Sequence, residues 1–295
     1  MRSDRHRATT GQASATTDVG SVHRAARRLT AAGEELLDEV VAEEVAVALV
    51  YNGISHAVMM ATPCDLEDFA RGFTLTERIV EGPSEIYDIE VEDQDQDQVP
   101  RPGGRGIEVH LRIANQRMAA LQERRRTLAG RTGCGLCGVD SIAEALRPVA
   151  QATWRGTVQR RAIERAMSAL PEWQHINRSN GATHAAGWAT ADGTLIAARE
   201  DVGRHNALDK LAGALARLES ATPGAVARGG FVVVTSRCSY EMVHKAAAIG
   251  ASAIAAVSAP TSLAIEIAEE AGIALVAFVR SGRLTAYANA DLIVP

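Results

Sequence analysis

Residues 231–279 read FVVVTSRCSYEMVHKAAAIGASAIAAVSAPTSLAIEIAEEAGIALVAFV, and their pattern sets the fold class. Phe231 to Val234 is a short apolar strand, Tyr240 to Ile249 a helix, Ala253 to Val257 a second strand. Thr261 to Ala271 is again helical and Ile273 to Val279 a third strand. Short apolar strands separated by single helices predict an α/β fold: a parallel sheet with right-handed crossovers. Ligands of such sheets bind beyond the carboxyl ends of the strands. Those ends lead into Thr235-Ser236-Arg237, Ser258-Ala259-Pro260-Thr261-Ser262 and Arg280-Ser281-Gly282-Arg283. Hydroxyls, guanidinium groups and helix N-termini suit phosphate oxygens. Polar strand-to-helix loops and Ser/Thr caps are routine, so any one of the three is unremarkable, but together they point to an anionic ligand. G-x-x-x-x-G-K-[ST] does not occur, and the match to G-x-G-x-x-G at Gly133 to Gly138 follows an expected helix rather than a strand, so an ordinary P-loop or Rossmann site is not supported.

Working upstream, Arg161 to Leu170 reads as a helix stopped by Pro171. Thr183 to Ala189 and Thr194 to Arg199 read as strands joined at Ala191-Asp192-Gly193, and Asn206 to Leu218 as a helix. The passage EDVGRHNALDK, Glu200 to Lys210, gathers acids, His205, Arg204 and Lys210, and Asp209 and Lys210 fall about one helical turn beyond His205. It is either a site or a capped helix start with solvated charges. Of 31 basic residues only Lys210 and Lys245 are lysine. They either mark places that need a compact ammonium or persist by chance. His205, Lys210 and Lys245 could steer an anionic ligand or brace the loops.

The first half divides into a Ser/Thr/Ala/Arg-rich tail over 1–30, expected to be disordered, and an α+β domain over 40–150. An α/β domain follows over 151–295. Val45 to Ala61 reads as a hairpin around the type I′ turn Asn52-Gly53. Asp65 should cap a helix running through Phe69, Phe73 and Ile79. Strands at Ile86 to Val91 and Ile107 to Ile113 flank a solvated loop over 92–106. A helix from Asn115 to Leu128 then delivers the chain to RTGCGLCGV, Arg131 to Val139.

That run places Cys134 and Cys137 in a C-x-x-C pair among glycines, with a helix expected from Asp140. A helix N-terminus near Cys137 favours its thiolate. Thiol chemistry fits best, while zinc would need a second ligand pair, and Cys64 and Cys238 are distant singletons. Two inert small residues in a loop would also satisfy the pattern. A net charge of −5 argues against a general nucleic-acid or membrane-surface binder. No apolar run approaches the roughly 18 residues of a membrane span, and no secretory h-region is present. Four cysteines in 295 residues favour a reducing compartment, so a cytoplasmic location is expected.

Taken together, RTGCGLCGV, EDVGRHNALDK, TSRCSYEMVHKAA (Thr235 to Ala247), FVRSGR (Phe278 to Arg283) and MMATPCDLEDFARGFTLTERI (Met59 to Ile79) resemble the FdhD family of formate dehydrogenase accessory sulfurtransferases. The likeness spans about residues 40–294. It implies a cytidine-deaminase-like C-terminal domain, with a parallel or mixed sheet and helices on both faces, beside a smaller α+β N-terminal domain, and a homodimer. It also implies sulfur taken as a persulfide from a cysteine desulfurase and passed to the molybdenum or tungsten bis-guanine-dinucleotide cofactor of formate dehydrogenase. That cofactor is cargo, and no catalytic metal is expected. By the resemblance, Cys134 carries the persulfide with Cys137 as partner. Phe278, Val279, Arg280, Ser281, Gly282 and Arg283 form the cofactor-binding loop. Cys238 departs from the family pattern, where a small residue such as Ala is expected. It reads as a buried small residue rather than a sulfur relay. A zinc deaminase would need H-x-E and P-C-x-x-C, which are missing. Two rival readings stand beside sulfur transfer: a thiol-disulfide oxidoreductase, and a non-catalytic cofactor-binding chaperone whose cysteines are ligands or bystanders.

Overall fold

The computed structural model describes residues 19–94, 105–129 and 148–295, apart from 153, 155, 227 and 281. The chain enters through an antiparallel arm, β1 (Ser21–Thr30) and β2 (Gly33–Ala42). Residues 21–30 are thus a strand rather than the disordered tail their composition suggests. The basic face of β1 meets an acidic β2, with Arg27 3.1 Å from Glu34 and Arg28 3.2 Å from Glu35. Opposite charges across a strand pair favour pairing.

β3 (Val45–Tyr51) and β4 (Ile54–Ala61) form the expected hairpin. Asn52 and Gly53 both take positive φ, 46° and 81°, as a type I′ turn requires. α1 (Leu66–Thr76), β5 (Ile86–Asp93), β6 (Gly106–Ile113) and α2 (Asn115–Ala129) follow. The four strands β3 to β6 pair in the order β4-β3-β6-β5, with β3 and β6 parallel. Phe69 and Phe73 of α1 share a core with Val47, Leu49 and Val109. Asp65 does precede α1, but at φ 51° it makes no side-chain cap.

The second half runs β7 (Val158–Gln159), α3 (Arg160–Trp173), α4 (His175–Asn180), β8 (His184–Ala189) and β9 (Leu195–Asp201). It continues α5 (Arg204–Ala221), β10 (Phe231–Val234), α6 (Tyr240–Ala248), β11 (Ala253–Ala256) and α7 (Ser262–Ala271). It closes with β12 (Ala274–Arg280), β13 (Arg283–Ala288) and β14 (Ile293–Val294). Pro171 does not stop α3; it lies in the last turn, and the helix ends at Trp173.

A six-stranded sheet has the order β13-β12-β11-β10-β8-β9. β10, β11 and β12 are parallel, whereas β13, β8 and β9 are antiparallel to their neighbours, so the sheet is mixed. Alternation along each strand sends side chains to opposite faces. Val232, Val234, Ile254 and Leu275 pack with α5, α6 and α7 residues such as Leu208, Leu211, Val243 and Ala268. Phe231, Val233, Ala255 and Val276 pack with Ile163, Ala166 and Leu170 of α3. Helices therefore cover both faces.

The two halves meet where α1 crosses α5. A Cβ on Gly72 would lie 1.7 Å from the Asp209 carbonyl oxygen, and one on Gly213 would lie 1.9 Å from that of Asp68. Only hydrogen at both positions lets the two backbones approach this closely.

Candidate functional site

Beyond the carboxyl ends of the parallel strands lies a cavity of about 250 Å³. Its lining brings together Thr235 after β10, Val257 after β11, and Val279, Arg280, Gly282 and Arg283 around the end of β12. Four of the six loop residues expected to bind the cofactor are here. Ser281 lies outside the described residues, and Phe278 is not part of the lining. Phe278 instead shapes the loop. Its φ of 54° is rare for a bulky side chain, and the register of β12 against β13 shifts between Ala277 and Arg280. A bulge re-aims the residues that follow it. Here it leaves Arg280 exposed, its guanidinium 5.9 Å from the centre of the Phe278 ring. Strain held at a ligand-facing loop is a feature of functional sites.

The middle strand end adds only an apolar wall. Thr261 accepts a hydrogen bond from the Ala264 amide and so serves as the cap of α7. The opposite wall is not legible in the sequence. Glu164, Met167, Ser168, Leu170 and Pro171 of α3 all line the cavity. Arg160 donates to the Gly282 carbonyl at 3.0 Å and to Glu164 at 2.6 Å, tying α3 to the loop. The i, i+4 pair Arg160 and Glu164 is the one signal of it, but such pairs are common on helices.

Within Glu200 to Lys210, the charged groups of Glu200, Asp201, Asp209 and Lys210 are buried rather than solvated. Lys210 and Asp201 are fully buried 2.7 Å apart, and Lys210 also donates to the Thr62 carbonyl at 2.9 Å. Asp201 accepts from the amides of Thr62 and Gly203 and from Asn206. Glu200 accepts from the amides of Ile176 and Asn177 at the start of α4, each at 2.8 Å. Lys245 donates to Asp209 at 2.8 Å, to Glu77 at 2.8 Å and to Thr76 at 3.2 Å. Burial pushes the Asp209 carboxyl up to about 6 against the pull of Lys245. Burial alone would lower the Lys245 ammonium, but Asp209 and Glu77 outweigh it and raise its pKa. The pair is therefore ionised at neutral pH. His205 lies 3.1 Å from Glu241, and burial with nearby Arg204 lowers its pKa to about 4, leaving it neutral at pH 7. Both lysines brace the junction of the two halves; neither lines the cavity.

Cys134 and Cys137 lie outside the described residues. Cys238 is completely buried, and burial pushes its thiol up to about 12, as a small core residue should behave. Cys64 is half-buried 3.8 Å from the Lys210 ammonium, and burial raises its pKa against the pull of that charge. Both are held as thiols at neutral pH. No described helix is long and apolar enough to cross a membrane.

The model of the FdhD/NarQ family matches residues 42–294. The sulfur carrier protein FdhD of Cupriavidus necator is 52% identical over 258 residues, which is 87% of this chain and 85% of that protein. Its counterpart in Bordetella petrii is 49% identical over 251 residues, 85% of each. A crystal structure from Desulfotalea psychrophila, proposed to be a formate dehydrogenase accessory protein, superposes with a TM-score of 0.66. It covers 93% of this chain and 99% of its own at 24% identity, a likeness of fold.

Proposed function

We propose, from the premise that this chain belongs to the FdhD/NarQ family, that it carries persulfide sulfur on Cys134 from a cysteine desulfurase to the cofactor of a formate dehydrogenase. The observation that carries the reading is the glycine-flanked Cys134–Cys137 pair in a chain about half identical to proteins called sulfur carriers.

A donor persulfide passes its terminal sulfur to the Cys134 thiolate and is left as a thiolate. The Cys137 thiolate then attacks the Cys134 sulfur, forming a disulfide and expelling the terminal sulfur as sulfide. The electrons come from the cysteine pair, and a cellular dithiol restores both thiols. The substrate that accepts the sulfide is the molybdenum or tungsten bis-guanine-dinucleotide cofactor. Arg280 and Arg283 suit its pyrophosphates as bidentate forks. Met167, Leu170, Pro171 and Val257 offer its rings an apolar wall. The protein works as a homodimer in the cytoplasm.

The test is formate dehydrogenase activity in cells that lack their own carrier. Wild type restores it, and Cys134→Ala leaves it at background while the enzyme's polypeptide still accumulates. Restoration by Cys134→Ala would overturn sulfur transfer and favour the non-catalytic chaperone.

A further inference from the structure

Among the described residues, the charged groups lining the cavity at the strand ends are two cations, Arg280 and Arg283, and one carboxylate, Glu164. In a site for an anion, a carboxylate opposes the ligand unless the ligand donates hydrogen bonds to it. Glu164 of α3 lines the cavity together with Met167, Leu170 and Pro171 of the same helix and with Arg280, Gly282 and Arg283 of the β12 loop. Its side chain is 29% exposed and is held by Arg160 at 2.6 Å. The same guanidinium group fixes the Gly282 carbonyl at 3.0 Å, so one residue sets the spacing between the carboxylate and the arginine loop.

A cavity that combines an apolar wall, one carboxylate held in place by Arg160 and two arginines suits a nucleotide. The wall takes a flat ring, the arginines take phosphates, and the carboxylate selects the ring. We propose that Glu164 reads the base, its carboxylate accepting from the N1–H and exocyclic amine of guanine. The inference rests on the reading of this cavity as the cofactor's nucleotide site, and it adds a specificity residue that none of the sequence motifs contains. Adenine turns an acceptor, N1, toward the same position and is rejected. Hypoxanthine offers N1–H but no amine and falls between them. Arg160 is a positioning residue for both Glu164 and the loop.

Calorimetric titration of the full chain with GDP, IDP and ADP tests this, using wild type, Glu164→Gln and Arg283→Ala. Wild type is expected to bind GDP most tightly, then IDP, then ADP. Glu164→Gln should weaken GDP about 10-fold to 100-fold, the range of a good bidentate contact to a base. It should leave ADP unchanged. Arg283→Ala should weaken GDP and ADP alike. Equal binding of GDP and ADP by wild type, or a guanine preference that survives Glu164→Gln, would overturn base reading while leaving the nucleotide site intact. Failure of wild type to bind any of the three nucleotides would overturn the nucleotide site itself, and base reading with it. Glu164 is partly exposed, so thermal unfolding of Glu164→Gln should match wild type and confirm that binding alone changed.

Discussion

Lys210→Met is expected to cost about 3–5 kcal/mol of stability, the penalty for breaking a buried ion pair from one side. The ammonium is fully buried 2.7 Å from a fully buried Asp201, so its removal leaves a carboxylate with no cation in a dry site. Asp201 keeps its hydrogen bonds from the Thr62 and Gly203 amides and from Asn206, but these supply no full charge. Thermal unfolding should drop by about 10 °C. Lys210→Met combined with Asp201→Asn should recover part of the loss, since no lone charge then remains buried. Lys210→Arg should also destabilise, because a planar fork does not fit a site built around a compact ammonium. A Lys210→Met protein within about 1 kcal/mol of wild type, less than a typical buried hydrogen bond to a charge contributes, would show that the pair does not brace the fold.

Gly213→Ala is the second large effect. Its methyl would meet the Asp68 carbonyl oxygen at 1.9 Å, and the reciprocal Gly72→Ala would meet that of Asp209 at 1.7 Å. Each obstacle is backbone, so no rotamer change relieves it, and α1 and α5 must separate. The better helix propensity of alanine returns up to about 1 kcal/mol. Overpacking costs typically about 1–3 kcal/mol and sometimes more, and the upper end is expected here. Separation also pulls on Asp68, which lies 2.6 Å from Arg199 and 3.0 Å from Arg217, and on the Asp209–Thr76 hydrogen bond at 2.6 Å. Gly82→Ala is the control, since nothing lies within 4 Å of its added methyl and its φ is not positive. Urea denaturation that ranks Gly213→Ala with Gly82→Ala would contradict the close crossing.

The parts of this fold that are legible in sequence are those fixed locally. The strands β10, β11 and β12 announce themselves because parallel strands buried on both faces are unbroken apolar runs. Asn52-Gly53 specifies its own turn. The strand-end loops follow from topology, which is why Thr235, Arg280 and Arg283 can be named from the sequence. What distant partners decide cannot be read there. Glu200, Asp201, Asp209 and Lys210 look solvated in isolation, yet Thr62, Thr76, Glu77 and Lys245 arrive from elsewhere in the chain to bury them. β1 looks disordered until the acidic β2 is placed beside it. Glu164 sits on a helix with nothing local to distinguish it, and only its packing beside the β12 loop turns it toward the cavity.

Sulfur transfer is tested most directly by intact-protein mass spectrometry after incubation with a cysteine desulfurase and L-cysteine. Wild type should gain one sulfur atom that a dithiol removes, Cys134→Ala should gain none, and Cys64→Ala should behave as wild type because that thiol is held protonated. No gain in wild type, or a gain that persists in Cys134→Ala, would contradict Cys134 as the sulfur carrier.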